Sequence, residues 1–199
     1  MRTHFLALLL LACVPASVVA DAVPGKPAPH FEIKDAGGQL QTLADYKGKW
    51  LVLEWFNKDC PYVRKHYGSG NMQMLQKTYT EKGVAWLSVI SSAKGKQGYR
   101  EPAEALQDAK TNKSTAQGVL LDASGTMGKA YGAKTTPHMF VVDPTGTVVY
   151  AGGIDDNDSA NPAVIATSKN YIVAALDAAM AGQKVATASA RPYGCHVQY

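Results

Sequence analysis

The clearest candidate for a chemically reactive side chain in this sequence is Cys60, which stands between an apolar stretch and a proline. Residues 51–56 are apolar apart from Glu54, and Pro61 follows the cysteine directly. Proline suits the first position of a helix, because an N–H there would have no intrahelical partner. Cys60 is therefore predicted to lie at a helix N-terminus, where free N–H groups and the helix dipole favour the thiolate. A thiolate is the nucleophile in disulfide exchange and in peroxide reduction, so Cys60 suits either reaction.

Two cations follow Cys60 within one helical turn, and they are expected to add positive potential at the sulfur. These are Arg64 and Lys65. The alternative is an inert core cysteine, since free cysteines are among the most buried residues. A core cysteine has no need to stand where a strand passes into a helix, however, and binding sites tend to form at such points. The position therefore favours a reactive Cys60.

Glu54 and Cys195 are the two further candidates for a role in this chemistry. Glu54 lies among Leu, Val, Trp and Phe, where desolvation would favour its neutral form; the alternative is that it points outward to solvent from an edge strand or accepts a hydrogen bond from a local donor. Cys195 is the only other cysteine after residue 20 and lies 135 positions beyond Cys60. In an oxidising compartment the two can form one disulfide. Cys195 is thus a resolving thiol, a partner in a static disulfide that pins the tail, or an unpaired thiol.

Residues 1–20 have the order of a secretory signal. A positive start precedes the apolar run from Phe5 to Ala12, and Val18-Val19-Ala20 supplies small residues for cleavage after Ala20. The apolar run is too short to span a bilayer as a permanent helix. The mature protein is therefore predicted to be periplasmic or secreted, with no transmembrane segment. The alternative is a lipoprotein anchored through Cys13, since residues 10–13 resemble a lipobox.

The composition restricts the partners that this chain is expected to bind. The 199 residues carry a formal net charge of +4 with no block of like charges, which argues against nucleic acid as a partner. No histidine or cysteine spacing predicts a metal site, and no cofactor is predicted. The acidic segment 155–158 lacks the glycine and terminal glutamate of an EF-hand, so it is predicted to be a solvated loop.

The elements that must position these residues follow from apolar runs and turn residues. Strands alternate with helices through the middle of the chain, which predicts a parallel sheet, and a late hairpin around residues 143–146 adds antiparallel edges. One domain is predicted over residues 21–182, with a tail over 183–199. The predicted strands are 30–33, 39–43, 50–56, 84–90, 119–122, 139–142 and 148–151; the predicted helices are 61–82 (broken near Gly68-Ser69-Gly70), 101–113, 126–131 and 163–181.

Two motifs together give this chain a resemblance to the thioredoxin superfamily. One is the strand–cysteine–proline–helix sequence around Cys60, and the other is Thr136-Pro137 directly before a predicted strand. The similarity extends over residues 24–182 and is nearest to the peroxiredoxin-like branch (alkyl hydroperoxide reductase/thiol-specific antioxidant, or redoxin). It implies a thioredoxin fold: a mixed central sheet flanked by helices, here with an N-terminal β-hairpin extension.

The same resemblance implies roles for individual residues. Pro137 would be cis and face Cys60, and Thr136 would offer backbone groups to an extended substrate. Glu54, six positions before Cys60, matches the buried acid of thioredoxins that assists proton transfer. Cys195 matches the resolving cysteines that long peroxiredoxin relatives carry in their tails.

The sequence departs from both family patterns at positions that matter for activity. Val63 replaces the second cysteine of the thioredoxin Cys-x-x-Cys motif, and it also occupies the position of the peroxiredoxin cysteine. Counting back from Cys60, Asn57 and Leu53 stand where peroxiredoxins have Thr and Pro. We therefore expect an exported thiol-disulfide oxidoreductase or antioxidant. Its substrates would be protein or small-molecule thiols and disulfides, and an external thiol would reduce it. The alternatives are a peroxiredoxin-type peroxidase and a catalytically silent thioredoxin-fold module that binds a partner or a metal.

Overall fold

The structure, a computed structural model, describes residues 21–199, so the predicted signal sequence and Cys13 lie outside the described residues. Its strands are β1 (Glu32–Lys34), β2 (Leu40–Thr42), β3 (Leu51–Trp55), β4 (Ala85–Ile90), β5 (Gly118–Leu121), β6 (Thr135–Thr136), β7 (His138–Val142), β8 (Val148–Gly152) and β9 (Cys195–His196). Its α-helices are α1 (Pro61–Gly68), α2 (Asn71–Glu81), α3 (Pro102–Thr111), α4 (Thr126–Tyr131) and α5 (Tyr171–Met180).

A five-stranded mixed sheet forms the centre of the fold, with strand order β5-β4-β3-β7-β8. β3, β4 and β5 are parallel, whereas β7 pairs antiparallel with both β3 and β8. β1 and β2 form the predicted N-terminal hairpin. The predicted mixed sheet flanked by helices is therefore confirmed.

Successive side chains of β3 point to opposite faces of the sheet, so this one strand contributes to two buried clusters. Val52 contributes to a buried cluster that includes side chains of α1, α2, α3 and α5. Leu51, Leu53 and Trp55 contribute to a second cluster with α4 and residues 22–31. Because successive side chains of a strand point to opposite faces, a buried run of this kind is expected in a sheet covered on both sides.

The prediction of one helix over residues 163–181 is wrong. Residues Pro162–Thr167 form a short 3-10 helix, and α5 begins only at Tyr171. The Asn170 side chain accepts hydrogen bonds from the N–H groups of Ile172 and Val173 at 2.9 and 3.0 Å, which caps a new helix at that point.

Candidate functional site

The Cys60 sulfur is fully buried at the junction of β3 and α1. Cys60 is the N-cap of α1, with extended backbone angles and Pro61 at the first helical position. Its side chain is 0% exposed, and its Sγ donates a hydrogen bond of 2.9 Å to the Thr136 carbonyl. The Thr136–Pro137 peptide bond is cis. The structure thus brings Cys60, Thr136 and Pro137 together.

Cys195 lies at the same place, although it is 135 residues away in sequence. Strand β9 pairs antiparallel with β6, so that Cys195 is opposite Thr136 and His196 is opposite Thr135. Both cysteines are free thiols, and hydrogen bonds from the backbone and side chain of Cys195 reach Cys60. The tail is therefore packed against the site rather than extended away from it.

The environments of the two thiols move their pKa values in opposite directions. Burial acts to raise the pKa of Cys60, but hydrogen bonds from the backbone and side chain of Cys195, from Thr136 and from the N–H of Val63 outweigh it and lower the pKa. Val63 belongs to the first turn of α1, where N–H groups lack intrahelical acceptors. Burial and the neighbouring Cys60 raise the pKa of Cys195 to about 12. Cys60 is therefore the sulfur that ionises first.

Neither of the two cations expected to act on Cys60, Arg64 and Lys65, is among the causes of its lowered pKa. The Lys65 side chain is 0% exposed and forms a salt bridge of 3.1 Å with Asp155. Arg64 is directed towards the Asp59 carbonyl, 3.4 Å away, and its charge acts on Cys195. The lowered pKa of Cys60 comes from hydrogen bonds. The expectation was therefore wrong for both cations; the charge of Lys65 is paired with Asp155, which lies 90 residues away in sequence.

The expectation that residues 155–158 form a solvated loop also fails at Asp155, which is 3% exposed. Its carboxylate bonds to Lys65 and to the Tyr193 hydroxyl, and His66 Nε2 lies 3.7 Å from it. Burial lowers the pKa of His66 to about 4, so His66 is neutral at pH 7. Within residues 21–199, no group of three His, Cys, Asp or Glu side chains could hold a metal ion.

Glu54 is 0% exposed, which excludes the alternative that it faces solvent. Its carboxylate accepts hydrogen bonds from Tyr67 (2.8 Å), Trp86 (2.9 Å) and Gln76 (3.2 Å). Burial raises its pKa to about 7, although these three hydrogen bonds act in the opposite direction. None of them reaches Cys60. Glu54 instead connects β3 to α1, the helix that carries Cys60, through Tyr67.

Thr136 is a contributor to the site that can be tested by itself. Its hydroxyl is buried and, among residues 21–199, has no hydrogen-bond partner in the resting site; the Thr136 side chain is nevertheless one of the groups that lower the pKa of Cys60. Replacing Thr136 with valine is expected to raise the pKa of Cys60, because a hydroxyl that stabilises the thiolate is lost. Iodoacetamide should then react several-fold more slowly with Cys60 at pH 7 in a Cys195→Ser background. Thr135→Val is the matched control, since the Thr135 hydroxyl bonds to the Pro137 carbonyl; an equal slowing in both variants would contradict the assignment.

The fold and the site together define a thioredoxin-fold protein with one cysteine at the start of α1 and a cis-proline facing it. Residues 24–151, more than half of the chain, match the family model described as the AhpC/TSA family. The chain belongs to this family. The matched segment includes Glu54, Cys60, Thr136 and Pro137 but ends before Cys195.

Curated relatives and solved structures show further similarities of this chain. The chain is 28% identical over 125 residues to the thiol-disulfide oxidoreductase ResA of Bacillus thuringiensis, which covers 63% of this chain and 66% of the relative's length. A hypothetical protein from Sinorhizobium meliloti 1021 has a TM-score of 0.75 at 26% identity, covering 90% of this chain and 96% of that one. The thioredoxin domain of a thiol-disulfide oxidoreductase from Bacteroides vulgatus has a TM-score of 0.52 at 22% identity, covering 65% and 87%.

These similarities confirm the predicted thioredoxin fold. The ResA relative is a thiol-disulfide oxidoreductase by name, and the matched segment spans just under two thirds of its length. None of the described helices, which all follow residue 20, is long and apolar enough to cross a membrane.

Proposed function

We propose that this protein is an exported thiol-disulfide oxidoreductase in which Cys60 is the nucleophile and Cys195 the resolving thiol. The observation that carries the proposal is the contact between the two free cysteines, in which the pKa of Cys60 is lowered and that of Cys195 is raised. In disulfide exchange the thiolate attacks, and a second thiol then releases the mixed disulfide. The lowered pKa of Cys60 suits the attack on a disulfide, and the raised pKa of Cys195 keeps it a neutral thiol until the release step.

The first step joins Cys60 to the substrate. Its thiolate attacks one sulfur of a substrate disulfide, the S–S bond breaks, and the other substrate sulfur leaves as a thiolate. Cys60 then carries no charge. The part of the elevated pKa of Cys195 that comes from its interaction with Cys60 is consequently removed.

The second step transfers the bond to Cys195. Its thiolate attacks the Cys60 sulfur, forms the Cys60–Cys195 disulfide and releases the second substrate thiolate. In sum, one substrate disulfide is reduced to two thiols while two protein thiols are oxidised. An external dithiol returns the protein to its starting state.

Glu54 serves in this proposal as a buried group that takes up or gives off a proton near neutral pH. Its pKa of about 7 fits a general acid or base, because such groups act best near the working pH. It is linked to Cys60 through Tyr67 and α1 rather than by a direct hydrogen bond. We therefore propose that Glu54 acts on Cys60 through the electrostatic field of its charge in the core, and not by direct proton transfer to the sulfur.

The activity test compares disulfide exchange with peroxide reduction in the wild-type protein. We expect exchange with a small disulfide to be much faster than the reduction of hydrogen peroxide. Asn57, in the place of the peroxiredoxin threonine, is 2% exposed and accepts a hydrogen bond from the Asp59 N–H. Arg100 pairs with Asp59 and Asp108 at 3.2 and 2.6 Å. Fast peroxide turnover that depends on Cys60 would instead support the peroxidase alternative, which is compatible with the family match. Inactivity in both assays would support a binding module.

Export is proposed from residues 1–20 and is tested by mass. The intact mass of the protein recovered from the periplasm or medium is expected to correspond to a chain that begins at Asp21. Lipid on Cys13 would select the lipoprotein alternative. A cytosolic product that retains Met1 would contradict export.

A further inference from the structure

The C-terminal tail follows a defined path that ends over Cys60. It first runs along β8, where the Ala151 N–H donates to the Ala188 carbonyl at 3.1 Å. It then crosses to β6 and pairs with it through β9, and the Val197 N–H donates to the Lys134 carbonyl at 3.0 Å. Within residues 21–199, β9 is the only strand partner of β6. Without the tail, β6 would be an open strand edge next to the Cys60 sulfur, and such edges bind extended peptides.

The approach of the tail to β6 is close enough to require glycine at position 194. Gly194 has a φ of 133°, and a side chain there would collide with the Thr136 carbonyl oxygen. Cys60 is 0% exposed while the tail occupies this position. A disulfide in another protein can therefore reach Cys60 only after β9 has moved.

Tyr193 anchors the tail in a buried polar pocket, which we call the Tyr193 pocket. It is formed by Tyr62, Lys65, His66 and Asp155. The Tyr193 hydroxyl lies 3.3 Å from Lys65 Nζ and 3.2 Å from His66 Nε2, and it donates to Asp155. Its ring packs edge-on against Tyr62 at 5.7 Å between centroids, with Lys65 Nζ 5.1 Å above the ring. The pocket thus binds an aromatic ring and a hydroxyl together.

We propose that Tyr193-Gly194-Cys195 is a displaceable occupant of the substrate edge at β6, and that the Tyr193 pocket selects partner segments with an aromatic residue two positions before their cysteine. This inference rests on the proposed function and names its substrate class. The partner segment would pair with β6 in place of β9, and its aromatic side chain would enter the Tyr193 pocket. The tail is then an internal occupant whose tether gives it a high effective concentration, so that a partner docks only when the tail is displaced.

Strand exchange at β6 orders the reaction. With β9 displaced, the partner's disulfide lies where Cys195 was, and the Cys60 thiolate forms a mixed disulfide with it while the partner's other sulfur leaves as a thiolate. Return of β9 brings Cys195 to the Cys60 sulfur and removes the partner segment from the same edge. Attack by Cys195 then releases the partner as a thiol and leaves the Cys60–Cys195 disulfide. Release of the product is thus coupled to closure of the tail.

The test uses a peptide with the sequence of residues 191–197, its cysteine activated as a mixed disulfide with thionitrobenzoate. The full-length Cys195→Ser protein keeps the tail strand in place and removes the competing thiol. Adding Gly194→Val places a side chain against Thr136 and should displace β9, which empties the Tyr193 pocket and removes the Cys195 backbone hydrogen bond that lowers the pKa of Cys60. Rates are therefore compared at a pH above the Cys60 pKa of every variant. We expect thionitrobenzoate release by Cys60 to be about tenfold or more faster in Gly194→Val/Cys195→Ser, a difference of roughly 1.4 kcal/mol. A peptide with alanine in place of tyrosine should lose most of this gain.

A second variant covers the case in which Gly194→Val misfolds. Tyr193→Ala/Cys195→Ser leaves Gly194 intact and empties the Tyr193 pocket, so it should also prefer the tyrosine peptide over the alanine peptide. Equal rates in Cys195→Ser and both double variants, or equal rates for the two peptides, would overturn the docking proposal. A small activated disulfide separates this outcome from failure of the proposed function. If Cys60 does not react with it in any folded variant, the proposed oxidoreductase activity is wrong as well.

Discussion

Replacing Cys60 with serine is expected to abolish disulfide exchange, and replacing Cys195 with serine is expected to stop the reaction at a mixed disulfide. The first change removes the sulfur whose pKa is lowered by Cys195, Thr136 and the N–H of Val63. The second change leaves that sulfur able to attack but removes the thiol that contacts it. The Cys195→Ser protein should therefore consume one equivalent of substrate and retain half of it covalently.

Mass spectrometry under non-reducing conditions checks this result. The expected product in Cys195→Ser is one substrate adduct located on the peptide that contains Cys60, and adding a monothiol should release it. The double variant Cys60→Ser/Cys195→Ser is the control for non-specific reaction. Full multiple-turnover activity in Cys195→Ser without an added monothiol would contradict the resolving role, and an adduct on Cys195 in the wild type would reverse the two roles.

Replacing Glu54 with glutamine is expected to stabilise the fold at pH 8 by roughly 3 kcal/mol more than at pH 4. The folded-state pKa of Glu54 is about 7, whereas a free glutamate titrates near about 4.3. Between these values the folded protein binds more protons than the unfolded chain, so the stability of the wild type falls as pH rises. Stability contributed by the neutral carboxyl is present below about pH 4 and lost above about pH 7. Glutamine does not titrate, so this loss is absent in the variant.

Glutamine can also keep the hydrogen bonds of this position. Its carbonyl oxygen can accept from Trp86 and Gln76, while its amide can donate to the Tyr67 hydroxyl after that hydroxyl rotates. Denaturant unfolding of wild type and Glu54→Gln at pH 4 and pH 8 measures the difference. Glu32→Gln, at an exposed position of β1, is the control. Parallel stability–pH curves for wild type and Glu54→Gln would show that Glu54 does not titrate with a raised pKa.

The central sheet and the position of Cys60 could be predicted because their causes are local in sequence. A run of buried residues specifies β3, and Pro61 fixes the start of α1. The end of the chain was harder to predict. Asn161 and Asn170 can each cap a helix, and the sequence does not show that the first of them starts only a 3-10 turn.

The features that sequence reasoning missed depend on contacts between distant segments. The sequence shows Lys65 only as a lysine in a predicted helix, and its contact with Asp155 becomes visible only in the fold. Strand β9 has two residues, which is too short to show a period-two pattern. Tyr193 was not singled out, although an aromatic residue two positions before a late cysteine was the available clue. The contact between Cys195 and Cys60 could be hypothesised but not located.

The contact between Cys60 and Cys195 closes a loop of 135 residues, and a disulfide formed there would also act on the unfolded chain. In the reduced protein this closure is lost as soon as β9 separates from β6. Once a disulfide joins the two sulfurs, the closure persists in the denatured ensemble and removes many of its conformations. The chain-entropy model gives roughly 5 kcal/mol of stabilisation for a loop of this length. The oxidation state of the site would then set how firmly the whole domain resists unfolding, so that reduction by a partner both restores Cys60 and loosens the fold that holds it.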